Sequence, residues 1–155
     1  MIDEELIYAR LFERVGECRF GDPNSPRRFL TLSRRVKLFN EVPSEMQPAC
    51  FQAEHGTLEK QTTGMPYKTT LNATWIIYQA VSKSPEGIGA IENNIILKGV
   101  RTALAPKPND PGFMDKRNTL NGLVYHCFID GLLFKDPGDI DGQGMMTVPI
   151  KLLVP

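Results

Sequence analysis

Residues that make and break bonds are scarce in this chain. It has two histidines, His55 and His126, far apart and without a His-x-x-x-His or Cys-x-x-Cys spacing, so it carries no zinc-binding pattern. The three cysteines (Cys18, Cys50 and Cys127) are odd in number and widely separated, which excludes a disulfide framework and points to a reducing compartment. Net charge is absent too. The 18 Lys and Arg balance 18 Asp and Glu, so the molecule as a whole has no electrostatic commitment to nucleic acid or membrane. No apolar run approaches the roughly 20 residues that span a bilayer. Asp3, Glu4 and Glu5 stand where a signal peptide carries positive charge. The expectation is a soluble protein made in a cytosol, with no cofactor and no metal.

What is present is ordinary globular material. At 155 residues, with 41% hydrophobic and 23% charged positions, the chain fits one domain over 1–155. Such a domain buries about two thirds of the surface its unfolded form exposes. The charge is unevenly placed. Arg27, Arg28, Arg34, Arg35 and Lys37 form a stretch without an acid, whereas Asp130, Asp136, Asp139 and Asp141 make the C-terminal region mostly acidic. That asymmetry suits head-to-tail contact between identical subunits, and equally a pair of solvated faces.

Periodicity predicts a helix over 3–16, with Ile7, Tyr8, Leu11, Phe12 and Val15 on one stripe and Asp3 as its cap. Breakers follow at 21–26. Residues 31–39 read as a strand, 42–48 as a turn and 49–54 as a second strand. The stretch 55–66, with Gly56, Gly64 and Pro66, reads as a long mobile hairpin tip. Strict alternation from Tyr67 to Tyr78 predicts the best strand, with Trp75 in the core. A second helix opens at Pro85-Glu86 and runs to about Leu104. Its apolar stripe is Ile88, Ile91, Ile95, Ile96, Val100, Ala103 and Leu104, and Gly99 permits close packing. Residues 120–134 and 145–154 are the last strands, and Pro149 suggests a sheet edge or a bulge. The expected fold is α+β: a single, mostly antiparallel sheet with two helices packed on one face.

Catalytic constellations fail on geometry. Cys127 adjoins His126, but neighbours on a strand point to opposite faces, so the imidazole is poorly placed to deprotonate the thiol. Asp136, Asp139, Asp141 and Gly142 lack the spacing and distal glutamate of a calcium loop and read as an acidic turn. Gly87-Ile88-Gly89 lacks the third glycine and the Lys-Ser/Thr of a phosphate loop, and reads as a helix start. The cluster Arg27 to Lys37 contains Phe29 and Phe39 without the basic-aromatic alternation of a stacking platform. Contact with an acidic partner surface, or with the Asp-rich end of a neighbouring subunit, is favoured over nucleic acid; a plain solvated face stays open.

Taken in order, these pieces resemble the tail terminator (tail completion) proteins of long-tailed bacteriophages. The resemblance runs through the helical start, Arg34-Arg35-x-x-Leu38-Phe39 and Gln47-Pro48-Ala49-x-Phe51. It continues in the Gly64-Met65-Pro66 loop feeding Trp75-Ile76-Ile77-Tyr78, in Val124 to Asp130-Gly131, in Gly142-Gln143 and in Val148-Pro149-Ile150. It departs at Leu132-Leu133-Phe134 and in the proline-rich 105–111 loop. The resemblance implies a structural virion protein, assembled in the host cytoplasm. It would be a homohexameric ring on the head-proximal end of the tail tube, ending tube growth and docking the neck or connector, with DNA passing through its lumen unread. Interface candidates are Arg34, Arg35 and Lys37; His55, Thr57, Glu59 and Lys60 in the 55–66 loop; and Asp136, Asp139 and Asp141. The rivals are another neck, head-tail connector or minor tail ring protein, a small cytosolic binding domain or enzyme using Cys127 and His126, and a basic-strand nucleic-acid binder.

Overall fold

The computed structural model describes residues 3–81 and 88–155. Helix α1 (Glu4–Glu17) begins where Asp3 Oδ1 accepts the Leu6 N–H at 3.0 Å, with Glu4 and Glu5 in its first turn. Ile7, Tyr8, Leu11 and Val15 are its buried stripe. Helix α2 (Gly89–Leu104) buries Ile96, Leu97, Val100, Ala103 and Leu104. The expected stripe was too broad: Ile88 and Ile91 are exposed. The expected start at Pro85-Glu86 lies outside the described residues. Gly99 does allow close packing, because a Cβ there would sit 2.6 Å from the Arg19 carbonyl oxygen and 2.9 Å from the Phe20 Cβ.

The strands are β1 (Thr31–Ser33), β2 (Ala49–Lys60), β3 (Lys68–Ala80), β4 (His126–Ile129), β5 (Phe134–Asp136) and β6 (Gln143–Val154). They form one sheet in the order β1-β2-β3-β6-β4, and β5 also pairs with β6. Only the β1–β2 pair is parallel. The two helices cover one face of this α+β domain. There Leu71, Ala73, Trp75 and Ile77 of β3 lie opposite Leu152, Ile150, Val148 and Met146 of β6, and all eight are buried. Trp75 Nε1 donates to Gln52 Oε1 at 3.1 Å, and Gln52 Nε2 donates to the Tyr8 carbonyl at 3.0 Å, so the buried indole is satisfied and α1 is pinned to the sheet. On the other face the described residues cover one end, where Val42 and Phe39 pack on Ala49, Phe51 and Tyr78.

Four expectations change. The strand expected over 31–39 stops at Ser33; the chain then crosses the sheet margin, where the Lys37 carbonyl accepts the Tyr78 hydroxyl at 2.7 Å, and continues in short 3-10 turns at Phe39–Glu41 and Ser44–Met46. The strand ends in a bend where Ser33 Oγ accepts the Arg35 N–H at 2.9 Å, and Phe39 then turns inward to meet the Tyr78 ring at 5.5 Å. The expected 55–66 loop is half strand. β2 pairs through to Lys60, because a bulge places His55 and Gly56 opposite the one residue Asn72, with Gly56 at φ 69°. The glycine that reads as a breaker keeps the ladder going, and the tip is only 61–67. The strand expected over 120–134 is broken into β4 and β5. Its start is a turn with Leu120 and Asn121 at positive φ, anchored by buried Asp110, whose carboxylate accepts the Thr119 N–H and hydroxyl and the Gly112 N–H. Pro149 lies on β6, flanked on both sides by strands rather than at an edge. The Asp130 N–H donates to the Pro149 carbonyl at 3.1 Å, so the missing N–H also points to the β4–β5 side. That is where residues 130–133 bulge out of the ladder between β4 and β5, so no partner is lost, and of the two alternatives, edge or bulge, only the edge fails.

Candidate assembly surfaces

The first candidate cluster follows β1. Arg34 lies between two carboxylates, with Nη1 2.5 Å from Glu5 Oε1 and Nε 2.9 Å from Glu54 Oε2. Its hydrogen bonds hold the Glu5 carboxyl below the ordinary glutamate value, and the two acids raise the Arg34 guanidinium. Arg34 therefore ties α1 to β2 within the chain. Arg35 and Lys37 project exposed, without an ion pair among the described residues. The apolar neighbours were not among the interface candidates. Leu30, Leu32 and Val36 are half exposed, Leu38 is 68% exposed, and Arg28 stands beside them. β1 pairs with β2 alone, so its outer backbone has no strand partner among the described residues. Glu41 and Glu45, on the turns that follow, border this basic, apolar margin.

The acidic turn lies on the opposite margin of the same sheet. β5 pairs with β6 only, and all three of its residues are exposed. Asp136 Oδ1 accepts the Gly138 N–H at 2.9 Å, Asp141 Oδ1 accepts the Gln143 N–H at 2.9 Å, and Asp139 Oδ1 accepts the Gly89 N–H at 3.3 Å. The three aspartates shape the turn and seat it on the start of α2, where a Gly89 Cβ would lie 1.8 Å from the Pro137 carbonyl oxygen. Lys135 turns to the helix face and bonds Asn94 at 3.1 Å, and Asp130 pairs with Lys151 at 2.7 Å. Apolar side chains are exposed here as well: Leu132 at 85%, Ile140 completely and Phe134 by half. An isoleucine between two turn aspartates was the available sequence signal.

The third cluster is the distal half of the β2–β3 hairpin, where 55–68 are all exposed. His55 turns back onto the uncovered face, its Nε2 2.7 Å from Thr74 Oγ1. Thr57 pairs across with Leu71, Glu59 accepts the Tyr67 hydroxyl, and Lys60 sits opposite Lys68. At the base of this arm is a cleft of about 470 Å³ lined by Pro66, Tyr67, Tyr125, Leu153 and Pro155. The candidates thus occupy three separate places: one sheet margin, the other margin, and the arm.

Reactive chemistry finds no support in the cysteines. Cys127 is buried beneath the helices, and burial pushes its thiol up to about 12; Cys18 is raised likewise to about 12, and Cys50 well above its ordinary value. His126 faces the other way, stacked on Phe128 at 4.8 Å, with Nδ1 accepting the Asn118 N–H at 3.2 Å. No group of His, Cys, Asp and Glu among the described residues could hold a metal, and no helix among them is long and apolar enough to cross a membrane. No protein-family model matches the chain, and comparison with curated proteins finds no similar sequence.

Proposed function

We propose that this chain is a structural subunit of a phage tail, a ring-forming cap that seats on the head-proximal end of the tube, stops its growth and offers the neck a docking surface. The observation that carries the reading is the layout of the sheet. Helices seal one face, the other is largely uncovered, and a hairpin exposed over 55–68 carries its tip, residues 60–68, past the Thr69–Val154 end of the β3–β6 ladder. On its inner side the hairpin is part of the sheet, since β3 pairs with β6 as far as Thr69, but the outer edge of β2 and the tip at 61–67 add little to the core, and their side chains are free to meet a neighbouring ring. The order of motifs described above supports the same reading, and buried thiols with raised pKa values favour work done by shape over nucleophilic chemistry.

The mechanism is capping. One axial surface copies the docking contacts of a tube subunit and the other does not, so addition ends. DNA crosses the lumen without base contacts, which fits a chain with no net charge. Electron microscopy of the purified protein mixed with tail tubes tests this. Tubes ending in an added six-fold collar are expected; tubes that stay bare and continue to grow in its presence would overturn the proposal.

A further inference from the structure

We infer that copies of this chain associate head to tail through the two lateral margins of the sheet, the β1 margin of one copy meeting the β5 margin of the next. Three observations carry it. Each margin is an edge strand without an outer partner among the described residues, a feature that folded proteins cover or blunt. Each also exposes apolar side chains: Leu30, Leu32 and Val36 on one, Leu132, Phe134 and Ile140 on the other. Their charges differ in sign: Arg28, Arg35 and Lys37 are exposed and unpaired among the described residues on the first, outnumbering the bordering Glu41 and Glu45, and Asp136, Asp139 and Asp141 are exposed on the second. Two unlike surfaces on opposite sides of one subunit define a heterologous contact, which generates rings or open chains rather than a two-fold dimer. Apolar contact and the opposite charges both contribute affinity, and the charges also set orientation.

This contact deepens the cap proposed above, naming which surfaces join its subunits, and its test needs no tails. One variant, Asp136→Asn with Asp139→Asn and Asp141→Asn, keeps every Oδ1 acceptor that shapes the turn and removes three charges. The other is Arg28→Gln with Arg35→Gln. Sedimentation velocity at about 0.1 mM protein and low salt should show wild type forming oligomers that dissociate as salt rises. Each variant alone should lose at least about tenfold in association. Mixed one to one, the two should form dimers that grow no further, since only one intact pair of margins remains. Leu132→Asn with Ile140→Asn, whose side chains are almost wholly exposed, should weaken association at both low and high salt. A monomeric wild type, variants that associate like wild type, or a mixture that behaves as its parts would each overturn the inference. Association without tube capping would sink only the cap; capping by a chain that stays monomeric in solution would sink only this contact.

Discussion

Arg34 shows how a residue type legible in the sequence acquires a meaning that the sequence does not carry. Its neighbours Glu5 and Glu54 lie 29 and 20 positions away, so no local pattern announces the triad. Arg34→Met should cost about 1 kcal/mol at neutral pH through the half-sheltered Glu54 pair. The sign of its pH dependence follows from Glu5. That carboxyl is lowered in the folded state, so its contribution is present above the ordinary glutamate value and is lost as pH falls through the lowered one. In urea denaturation from about pH 7 to about pH 3 the gap between wild type and variant should therefore narrow toward the acid end. A gap that stays constant across that range would refute the ion-pair account. The same residue bears on any charge reversal made to probe assembly: Arg34→Glu would repel two carboxylates within its own chain, whereas Arg35 reports on the surface alone. For the thiols, Cys127 should label slowly with iodoacetamide at neutral pH in the folded protein and rapidly once unfolded, since burial holds it protonated. Rapid, selective labelling of native Cys127 would restore the enzyme reading.

Among the elements, those governed by short-range periodicity were readable and those governed by pairing partners were not. Helix α1, the β3 alternation and the final strand follow from the spacing of their apolar residues and match the structure within two or three positions. β2 was cut short at Glu54 because Gly56 reads as a breaker, and only Asn72 across the ladder, whose Nδ2 donates to the Gly56 carbonyl at 2.8 Å, shows it to be a bulge. Pro149 suggests an edge or a bulge in the sequence, and of the two only the edge fails: whether a missing N–H matters depends on what lies opposite, here the irregular stretch 130–133. The hairpin offers a clean test. Replacing residues 61–67 with Asn-Gly joins the Lys60–Lys68 pair by a two-residue turn. Stability should be unchanged or rise by up to about 1 kcal/mol, since the closed loop is shorter. Tube capping, seen by electron microscopy, should be lost, and full capping by the shortened protein would remove the arm from the docking surface.

Over the whole molecule, one core joins both helices to the sheet, with Trp75 at its centre. Unfolding should therefore be a single transition. Tryptophan fluorescence, which reports the sheet core, and far-ultraviolet circular dichroism, which is weighted toward the helices, should give coincident urea curves. Separated midpoints would mean that helices and sheet fold as independent units. From the order of amino acids alone one reads the α+β class, the two helices and the buried indole. Each follows from spacings within one segment or from composition, because burial of a periodic apolar stripe is a local demand. The opposite placing of basic and acidic margins, the internal use of Arg34, and the exposed Leu132, Phe134 and Ile140 beside the aspartates emerge only once the strands are ordered. Strand order is set by contacts between residues far apart along the chain, and neighbouring side chains hold no record of them.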